Sequence, residues 1–313
     1  MADHVLAVGG VNLDTLARVT GDRTDAGTSN PGRTSRTAGG VARNVTENLA
    51  RLGTTVRLVS CVGTDAVGEA LLGDLDSVGV DLSFVKRTDL PTGSYTAVLD
   101  HHGDLVIGIA DMAAVESLSP ADVDEAAFAD AAFVVVDGNL LPATVAHCLA
   151  LAAAAGVPVA LDPVGVAKAA RLDVRGPVHT FTPNREELEG FTGAPEVDKA
   201  VRACHDRGIE TVWLRQGAAG STIFRVGHEP VRVQLPRAEV VDVTGAGDAM
   251  LAGYLHRIVT GSAVEEAADF GAAAAWLTVQ SPYTVRPDLI AELVQQTLDH
   301  LTGRARPDPG SPR

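Results

Sequence analysis

Short runs of consecutive apolar residues alternate along the chain with longer segments rich in alanine and leucine. Because the apolar residues are continuous instead of alternating with polar ones, the runs are typical of strands buried on both faces of a parallel sheet. The longer segments have the length and composition of helices. The pattern predicts an α/β fold with a mostly parallel central sheet covered by helices on both faces. The runs are HVLAVGG, TVRLVSCVG, AAFVVVDGN, VPVALDPV, HTFTPN and ETVWLRQG.

The residues at the ends of these runs are polar or glycine. In an open parallel sheet the ligand crevice lies beyond the carboxyl ends of the strands, where such residues meet. The sequence therefore predicts a binding crevice lined by residues from several strand ends: Asn12, Asp14, Gly138, Asn139, Asp162, Asn184 and Gly217.

Two segments, about 13–38 and 91–110, lack the buried-strand pattern and together predict a small β-sheet lid. The second segment alternates apolar and polar residues around the turn sequence HHGD, which predicts a hairpin. A lid with one apolar face favours a homodimer, although a hairpin packed on its own domain fits the pattern equally well. In the predicted hairpin, Tyr95, Ala97 and Leu99 face Leu105, Ile107 and Ile109.

The length and composition fit one large domain. The 313 residues are 46% hydrophobic, and we expect a single domain over residues 1–302. Residues 303–313 are rich in Pro, Gly and Arg and predict a disordered tail. Since no stretch approaches 18 consecutive apolar residues and the N-terminus lacks a signal-peptide pattern, we expect a soluble, cytoplasmic protein.

The net charge and the cysteine content limit the kinds of binding partner and cysteine chemistry that we expect. A formal net charge of -15 disfavours nucleic acid and anionic membranes, so we expect a small-molecule substrate, no nucleic acid and no membrane partner. The three cysteines, Cys61, Cys148 and Cys204, are scattered and show no CxxC spacing. We expect them to be buried and reduced.

The stretch VDVTGAGDAM, residues 241–250, places three small residues before a carboxylate and an apolar helical segment. We expect the helix to begin at Asp248 or Ala249. The backbone N–H groups of Gly245, Ala246 and Gly247 would then form an anion hole at the positive helix end, beside the Asp248 carboxylate. Such a pair suits phosphoryl transfer.

Other interpretations of this stretch exist. An ordinary glycine-rich turn with Asp248 as the helix N-cap accounts for the same residues. A dinucleotide fingerprint starting at Gly245 would need glycine at Met250, and the chain has no P-loop motif.

A second motif, near the N-terminus, adds to the glycine-rich stretch at 241–250 and gives the sequence a specific family resemblance. The segment TAGGVARNVTENLARLG places Gly39 and Gly40 before a helix that carries Arg43 and Asn44. Together with D-x-T-G-A-G-D near the C-terminus, and with NLD, TPNREELEG and LRQGAAG between them, it resembles the PfkB (ribokinase-like) family of carbohydrate and nucleoside kinases. The resemblance implies a ribokinase-like three-layer α/β/α sandwich with a small β-sheet lid, and an ATP- and Mg²⁺-dependent phosphotransferase with an alcohol acceptor.

Four further segments resemble one branch of that family, the pseudouridine kinases: SNPGRTSRTAGGVARN, GSYTAVLDHHGDLVIGIADM, DPVGVAK and SPYTVRPDL. This resemblance implies phosphorylation of the 5′-hydroxyl of pseudouridine. Two alternatives stay open, a ribokinase or other sugar or nucleoside kinase of the same family, and a sensor that binds nucleoside or sugar without catalysis.

The family's catalytic roles fall on the glycine-rich stretch. Asp248 matches the catalytic base, and Gly245, Ala246 and Gly247 match the anion hole. If Asp248 is an exposed aspartate, its pKa lies near 4, and it accepts the proton only as the phosphoryl bond forms.

The resemblance also implies the substrate contacts. Asp14 matches a carboxylate that grips sugar hydroxyls, and Lys168 is either a contact of the uracil ring or a solvated helix lysine. Arg43 is expected to anchor the lid or touch the nucleoside, and it is otherwise an ordinary surface arginine. The remaining expected substrate contacts are Asn12, Ser29, Asn30, Gly40, Asn44, Ser94 and Tyr95.

Asn184 and Glu187 match an N-x-x-E element that positions Mg²⁺, through water, and the ATP phosphates; they also fit a helix capping box. Arg215 stands where the family commonly has a small hydroxyl residue, so ATP is expected but GTP stays open. Gly217 and Gly220 match the nucleotide loop.

Asp242 and Thr244 match residues that help bind a monovalent cation, so K⁺ stimulation is an expectation.

Overall fold

The computed structural model describes residues 4–303, so the expected disordered tail, apart from Gly303, lies outside the described residues. The strands are β1 (His4–Val8), β2 (Asn12–Val19), β3 (Gly32–Gly39), β4 (Val56–Gly63), β5 (Asp81–Thr88), β6 (Gly93–Leu99), β7 (Leu105–Asp111), β8 (Ala131–Asp137), β9 (Val159–Asp162), β10 (Val178–Phe181), β11 (Ile209–Arg215), β12 (Ser221–Arg225) and β13 (Val231–Val233). The helices are α1 (Val41–Arg51), α2 (Ala66–Ser77), α3 (Ala113–Glu116), α4 (Pro142–Ala155), α5 (Val166–Ala169), α6 (Arg185–Thr192), α7 (Val197–Asp206), α8 (Ala246–Val259), α9 (Val264–Thr278) and α10 (Ala291–Thr302).

Nine strands form the large sheet, in the order β13-β12-β11-β10-β9-β8-β1-β4-β5. The seven strands from β11 to β5 are parallel, and β12 and β13 extend the sheet in antiparallel pairings. All six apolar runs are strands of this sheet, which confirms the predicted α/β fold. The sequence missed β5, β12 and β13, which lie at or next to the edges of the sheet and carry more polar residues.

The core lies on both faces of the large sheet, as continuous apolar strands require. On β1, Val5 and Ala7 pack against one layer that includes α1 and α8, whereas Leu6 and Val8 pack against the other, which includes α4 and α6. The fold is therefore a three-layer α/β/α sandwich. The three cysteines are free and buried in it, as predicted.

The order in which the strands are added to the large sheet reverses at β1. Strands β4 and β5 lie on one side of β1, and β8 and the later strands lie on the other. In open α/β sheets the ligand crevice lies beyond the carboxyl ends of the strands at such a point. The segment between Val8 and Asn12 leaves β1 here and enters the small sheet, so both sheets meet at the crevice.

The small sheet, which we call the lid, has the strand order β3-β2-β6-β7. It includes the predicted β6–β7 hairpin. The predicted pairing of Leu99 with Leu105 is present, but the pairings predicted for Ile107 and Ile109 are wrong. Leu99 pairs with Leu105, while Ile107 pairs with Val98 and Ile109 with Thr96. A register shift between Val98 and Leu99 moves these isoleucines to positions opposite the even-numbered residues of β6.

Within residues 4–303, none of the helices has the length and apolar character needed to cross a membrane.

Candidate functional site

Charged residues end three strands in the same half of the large sheet, the neighbours β8 and β9 and, beyond β10, β11. Asp137, Asp162 and Arg215 are the last residues of β8, β9 and β11, and Asp137 and Asp162 are register partners. The sequence pointed to Asp162 as a crevice residue without a role and missed Asp137. A carboxylate that closes an otherwise apolar run, as in AAFVVVD, is the signal that could have found it.

Asp137 fixes the backbone around the crevice. It is fully buried, and its carboxylate accepts hydrogen bonds from the backbone N–H groups of Gly10, Ala42 and Asn139, each at 2.9 Å. A Cβ at Gly9 would lie 2.3 Å from this carboxyl group, so only glycine fits there. Although burial raises the pKa of Asp137, these donors oppose the shift. We assign Asp137 the task of holding the β1–β2 connection against the start of α1.

Lys168 lies in α5, just after β9, and its ammonium group donates to the side-chain oxygen of Asn139. Burial lowers its pKa, an effect that the nearby Asp137 carboxylate opposes. Lys168 is therefore a partly desolvated cation directed at the crevice, and the alternative of a solvated helix lysine is wrong.

Helix α8 begins at Ala246, two residues earlier than we predicted. Gly245 is its N-cap, with φ +77°, and a Cβ there would lie 1.9 Å from the carbonyl oxygen of Thr284. Glycine is required on both grounds. Asp248 is consequently the third residue of the helix, and its interpretation as the N-cap is wrong. Of the predicted anion hole, the Ala246 N–H donates to Val243 O at 3.3 Å. The N–H groups of Gly247 and Asp248 belong to the first turn, which an α-helix leaves without internal acceptors.

Asp248 is buried, with 8% of its surface exposed. The Asn44 side-chain amide donates to its carboxylate at 2.8 Å. Burial, together with the negative charge of Asp162, raises the pKa of Asp248 to about 7 against the opposing effects of Asn44 and Arg215. The expected pKa near 4 is wrong because it assumed an exposed side chain.

Arg215 is the cation between these carboxylates. Its guanidinium lies 3.2 Å from Asp162 and 3.0 Å from Glu187. A Cβ at Gly247 would lie 2.5 Å from the same guanidinium, which therefore stands directly beside the first turn of α8. Burial alone would lower the pKa of Arg215. The negative charges of Asp162, Glu187 and Asp248 outweigh this effect and raise the pKa. Two positive elements, the guanidinium and the helix end, converge on one point.

Asn184 and Glu187 form the expected capping box at the start of α6. Each side chain accepts the other residue's backbone N–H at 2.8 Å. The Glu187 carboxylate is buried, and burial raises its pKa, while Arg215 and the Asn184 N–H oppose the shift. The box fixes the Glu187 carboxylate at the edge of the crevice.

Asn12 and Asp14 lie at the end of the lid nearest to the crevice. The Asn12 amide donates to Asp14 at 2.6 Å, and a Cβ at Gly39 would lie 2.3 Å from the Asp14 carboxylate. Burial raises the pKa of Asp14, while Asn12 and Arg43 oppose the shift. Gly40 has φ +97° and packs against Gly10 O, so it is fixed as the N-cap of α1.

Arg43 is 4% exposed, so the alternative of a surface arginine is wrong. It pairs with Glu47 at 2.5 Å and donates to the side-chain oxygen of Asn44 at 3.2 Å. Sequence reasoning did not single out Glu47.

Other expected site residues lie elsewhere in the structure. Ser29 and Asn30 lie in the β2–β3 turn, where the Asn30 side chain is bound to the backbone of Asp25. That turn is seven residues along β2 from Asn12, about 24 Å, so Ser29 and Asn30 lie at the opposite end of the lid from Asn12. Tyr95 pairs with Asp14 on the neighbouring strand and lies over Gly108, and Ser94 precedes it.

The remaining expected residues lie in turns and loops between the strands and long helices. Gly217 has φ +57° and no heavy atom within 4 Å of a Cβ, whereas a Cβ at Gly220 would collide with Val233 O at 2.4 Å. The glycine at 220 is thus explained by the β12–β13 packing. Asp242 accepts the backbone N–H and hydroxyl of Thr244 in an exposed loop.

The acidic residues form no ready-made metal cage. Across residues 4–303, no group of three or more His, Cys, Asp or Glu side chains is arranged to hold one metal ion. Magnesium usually keeps several waters and needs only one or two protein carboxylates in phosphoryl-transfer sites. The single fixed carboxylate of Glu187, next to the point where the positive groups converge, fits that sparse requirement.

Comparisons with known proteins agree with this geometry. Residues 2–290 match the pfkB family of carbohydrate kinases. A pseudouridine kinase from Escherichia coli K12 is 32% identical over 298 residues, which cover 92% of this chain and 94% of that protein. Among solved structures, a carbohydrate kinase from Agrobacterium tumefaciens superposes with a TM-score of 0.81 at 33% identity, covering 96% and 97% of the two chains. Arabidopsis thaliana ribokinase complexed with ribose and ATP superposes with a TM-score of 0.83 at 27% identity, covering 95% and 99%.

Proposed function

The chain belongs to the pfkB family of carbohydrate kinases, phosphotransferases with an alcohol acceptor, and we propose that it phosphorylates the 5′-hydroxyl of pseudouridine with ATP. The observation that carries the phosphotransferase chemistry is the buried Asp248 carboxylate in the first turn of α8, beside Arg215. The similarity over almost the whole length to a pseudouridine kinase supports the acceptor. The ribokinase-like fold with its lid, expected from the sequence, is confirmed by the superpositions.

Asp248 is the general base of the proposed reaction. It accepts the proton of the acceptor hydroxyl while the oxygen forms its bond to the γ-phosphorus, and the bond from that phosphorus to the β,γ-bridging oxygen breaks. The electron pair leaves with ADP. Because the pKa of Asp248 is about 7, its basicity matches neutral pH better than that of an ordinary aspartate.

The developing negative charge is met by the first turn of α8 and by Arg215. The N–H groups of Gly247 and Asp248 and the guanidinium are fixed before substrate binds, so they need not reorganise during the reaction. Magnesium, held through water near Glu187 and Asn184, would supply further neutralisation of the ATP phosphates. Arg215 itself remains paired to Asp162 and Glu187, which sets its position.

The acceptor would lie between the crevice and the lid. Asp14, oriented by Asn12, is our candidate for the ribose hydroxyls, together with Gly40, which lies against Asn12, and Asn44, which is bonded to Asp248. Lys168, held by Asn139, is the candidate for a uracil carbonyl, and Ser94 and Tyr95 lie on the lid strand next to Asp14. Closure of the lid would exclude water, which otherwise competes as phosphoryl acceptor.

The test is ADP release by the purified protein with ATP and Mg²⁺, offered pseudouridine, uridine, adenosine and ribose separately at equal concentration. We expect strong turnover on pseudouridine and little on uridine, and GTP in place of ATP tests the donor. Replacing K⁺ by Na⁺ in the same assay tests the proposed cation contacts of Asp242 and Thr244.

Two outcomes favour other functions. Turnover on ribose alone would make the chain a ribokinase, the activity named for the superposable Arabidopsis protein. A thermal shift with nucleoside but no ADP release from any acceptor would favour a binding protein without catalysis. Either result overturns the proposed substrate.

A further inference from the structure

Four polar side chains of α1 form a connected, largely buried chain that ends at Asp248. Glu47 forms an ion pair with Arg43, at 2.5 Å, and accepts hydrogen bonds from Arg51, the shorter at 2.6 Å. Arg43 donates to Asn44, and Asn44 donates to Asp248. The polar contacts of Arg43 in this chain are to residues of its own helix.

The Arg43 guanidinium determines which end of the Asn44 amide faces the base. A guanidinium is a donor only, so it bonds to the Asn44 oxygen and leaves the NH₂ group for Asp248. The flipped amide would place two donors against each other and a carbonyl oxygen against the carboxylate. Arg43 therefore reinforces the donating orientation that the Asp248 carboxylate also favours.

The other end of the chain is anchored as well. Arg51 donates two hydrogen bonds to Glu47, at 2.8 and 2.6 Å, and another to the carbonyl oxygen of Pro287 at 2.7 Å. These bonds tie the Arg51 end of α1 to the segment around Pro287, whereas Arg43 is the member of the chain that reaches Asn44.

We propose that Arg43 is a positioning residue that acts through Asn44 to orient the Asp248 carboxylate, and that it does not contact the nucleoside. This inference rests on the proposed phosphotransferase function but not on the identity of the acceptor. Its consequence is that Arg43 supports kcat and the ionisation of Asp248, whereas a substrate-binding arginine would support KM.

Other charges act on the same two groups and set the background for any pH effect. Asp248 is also influenced by Asp162, Asp137 and Arg215 from the ends of β9, β8 and β11. Arg43 is influenced by Glu47 and Arg51 on its own helix, Asp74 on α2 and Asp14 on β2. None of these groups is altered by the substitutions below, apart from Arg51 in the control.

The test compares Arg43→Lys and Arg43→Met with Arg51→Met. Lysine keeps a charge for Glu47 but lacks the planar fork that reaches Asn44 as well. We expect Arg43→Lys to lower kcat roughly tenfold, the value of a hydrogen bond to a charged group, with the acceptor KM little changed. Because Asn44 donation lowers the pKa of Asp248, its loss should move the acidic limb of kcat/KM to higher pH. Arg51→Met removes an arginine from Glu47 without touching Asn44, and we expect it to leave that limb in place.

A double mutant and a substrate-free titration complete the test. In an Asn44→Ala background, Arg43→Lys should cause no further change in the limb. The ¹³C titration of the Asp248 carboxyl, assigned with Asp248→Asn, should show a higher midpoint in Arg43→Lys. A raised KM with unchanged kcat and titration would overturn the proposal, as would an equal shift in Arg51→Met. The titration needs no acceptor, so a failed kinase assay contradicts the proposed function without deciding this inference.

Discussion

The properties of Asp248 follow from where its neighbours lie, and those neighbours come from four separate elements. The sequence identified the aspartate, its glycines and Asn44 through their motifs. It assigned the wrong pKa because burial, the largest cause of the raised value, and the charges of Asp162 and Asp137 both come from elements that are remote in sequence. A sequence motif identifies the residues of a site, but the pKa of each residue depends on the charges and burial that tertiary packing places around it.

The raised pKa of Asp248 predicts a stability cost that depends on pH. The folded-state pKa of about 7 lies above the ordinary 3.8, so the folded state binds this proton more tightly than the unfolded state does. The free energy of unfolding contributed by this group is therefore most favourable below about pH 4 and falls as the pH rises towards 7. Above pH 7 the cost is constant.

Asp248→Asn should remove this cost and most of the turnover together. We expect the nucleotide-free variant to unfold at a higher temperature than the parent at pH 8, with a smaller gain at pH 5, and kcat to fall roughly 10²- to 10⁴-fold. Thermal denaturation at both pH values, beside an ADP-release assay, measures this. Asp76→Asn on the exposed face of α2 is the control and should change neither quantity. Near-normal kcat in Asp248→Asn would contradict its role as the base.

At the scale of elements, the start of α8 depends on one glycine. Gly245 combines a left-handed backbone with a Cβ position that Thr284 O occupies. The sequence predicted a helix here but began it two residues too late, because a helix-propensity argument excludes glycines that tertiary packing places at the cap and in the first turn. The strands of the large sheet were easier to predict, because six short runs of consecutive apolar residues are typical of buried strands.

Gly245→Ala should therefore shift the first turn of α8 and lower both stability and kcat. Gly261 offers a matched control, because it also has positive φ, +88°, just after the same helix, but a Cβ there meets nothing within 4 Å. We expect Gly261→Ala to cost about 1 kcal/mol of unfolding free energy and to leave kcat intact. Gly245→Ala should cost more and reduce kcat. Equal effects of the two substitutions would show that the contact with Thr284 does not position the helix.

At the scale of the whole molecule, the lid presents apolar surface to solvent. Every residue of β7 is exposed, including Leu105, Val106, Ile107 and Ile109, each between 51% and 58%. An exposed aliphatic strand at the edge of a sheet is a template for pairing with another chain. We propose that a second copy covers this edge, which agrees with the homodimer expected from the sequence.

This proposal makes the oligomeric state sensitive to a single charge on β7. We expect the protein to sediment as a dimer and Ile107→Asp to sediment as a monomer, because a buried unpaired carboxylate opposes association. Val226→Asp is the matched control, since Val226 is similarly exposed, at 53%, but lies beyond β12 at the far edge of the large sheet. It should remain a dimer. A monomeric parent protein, or a dimer that survives Ile107→Asp, would mean that this edge stays open to solvent. The lid would then act on the substrate of its own chain alone.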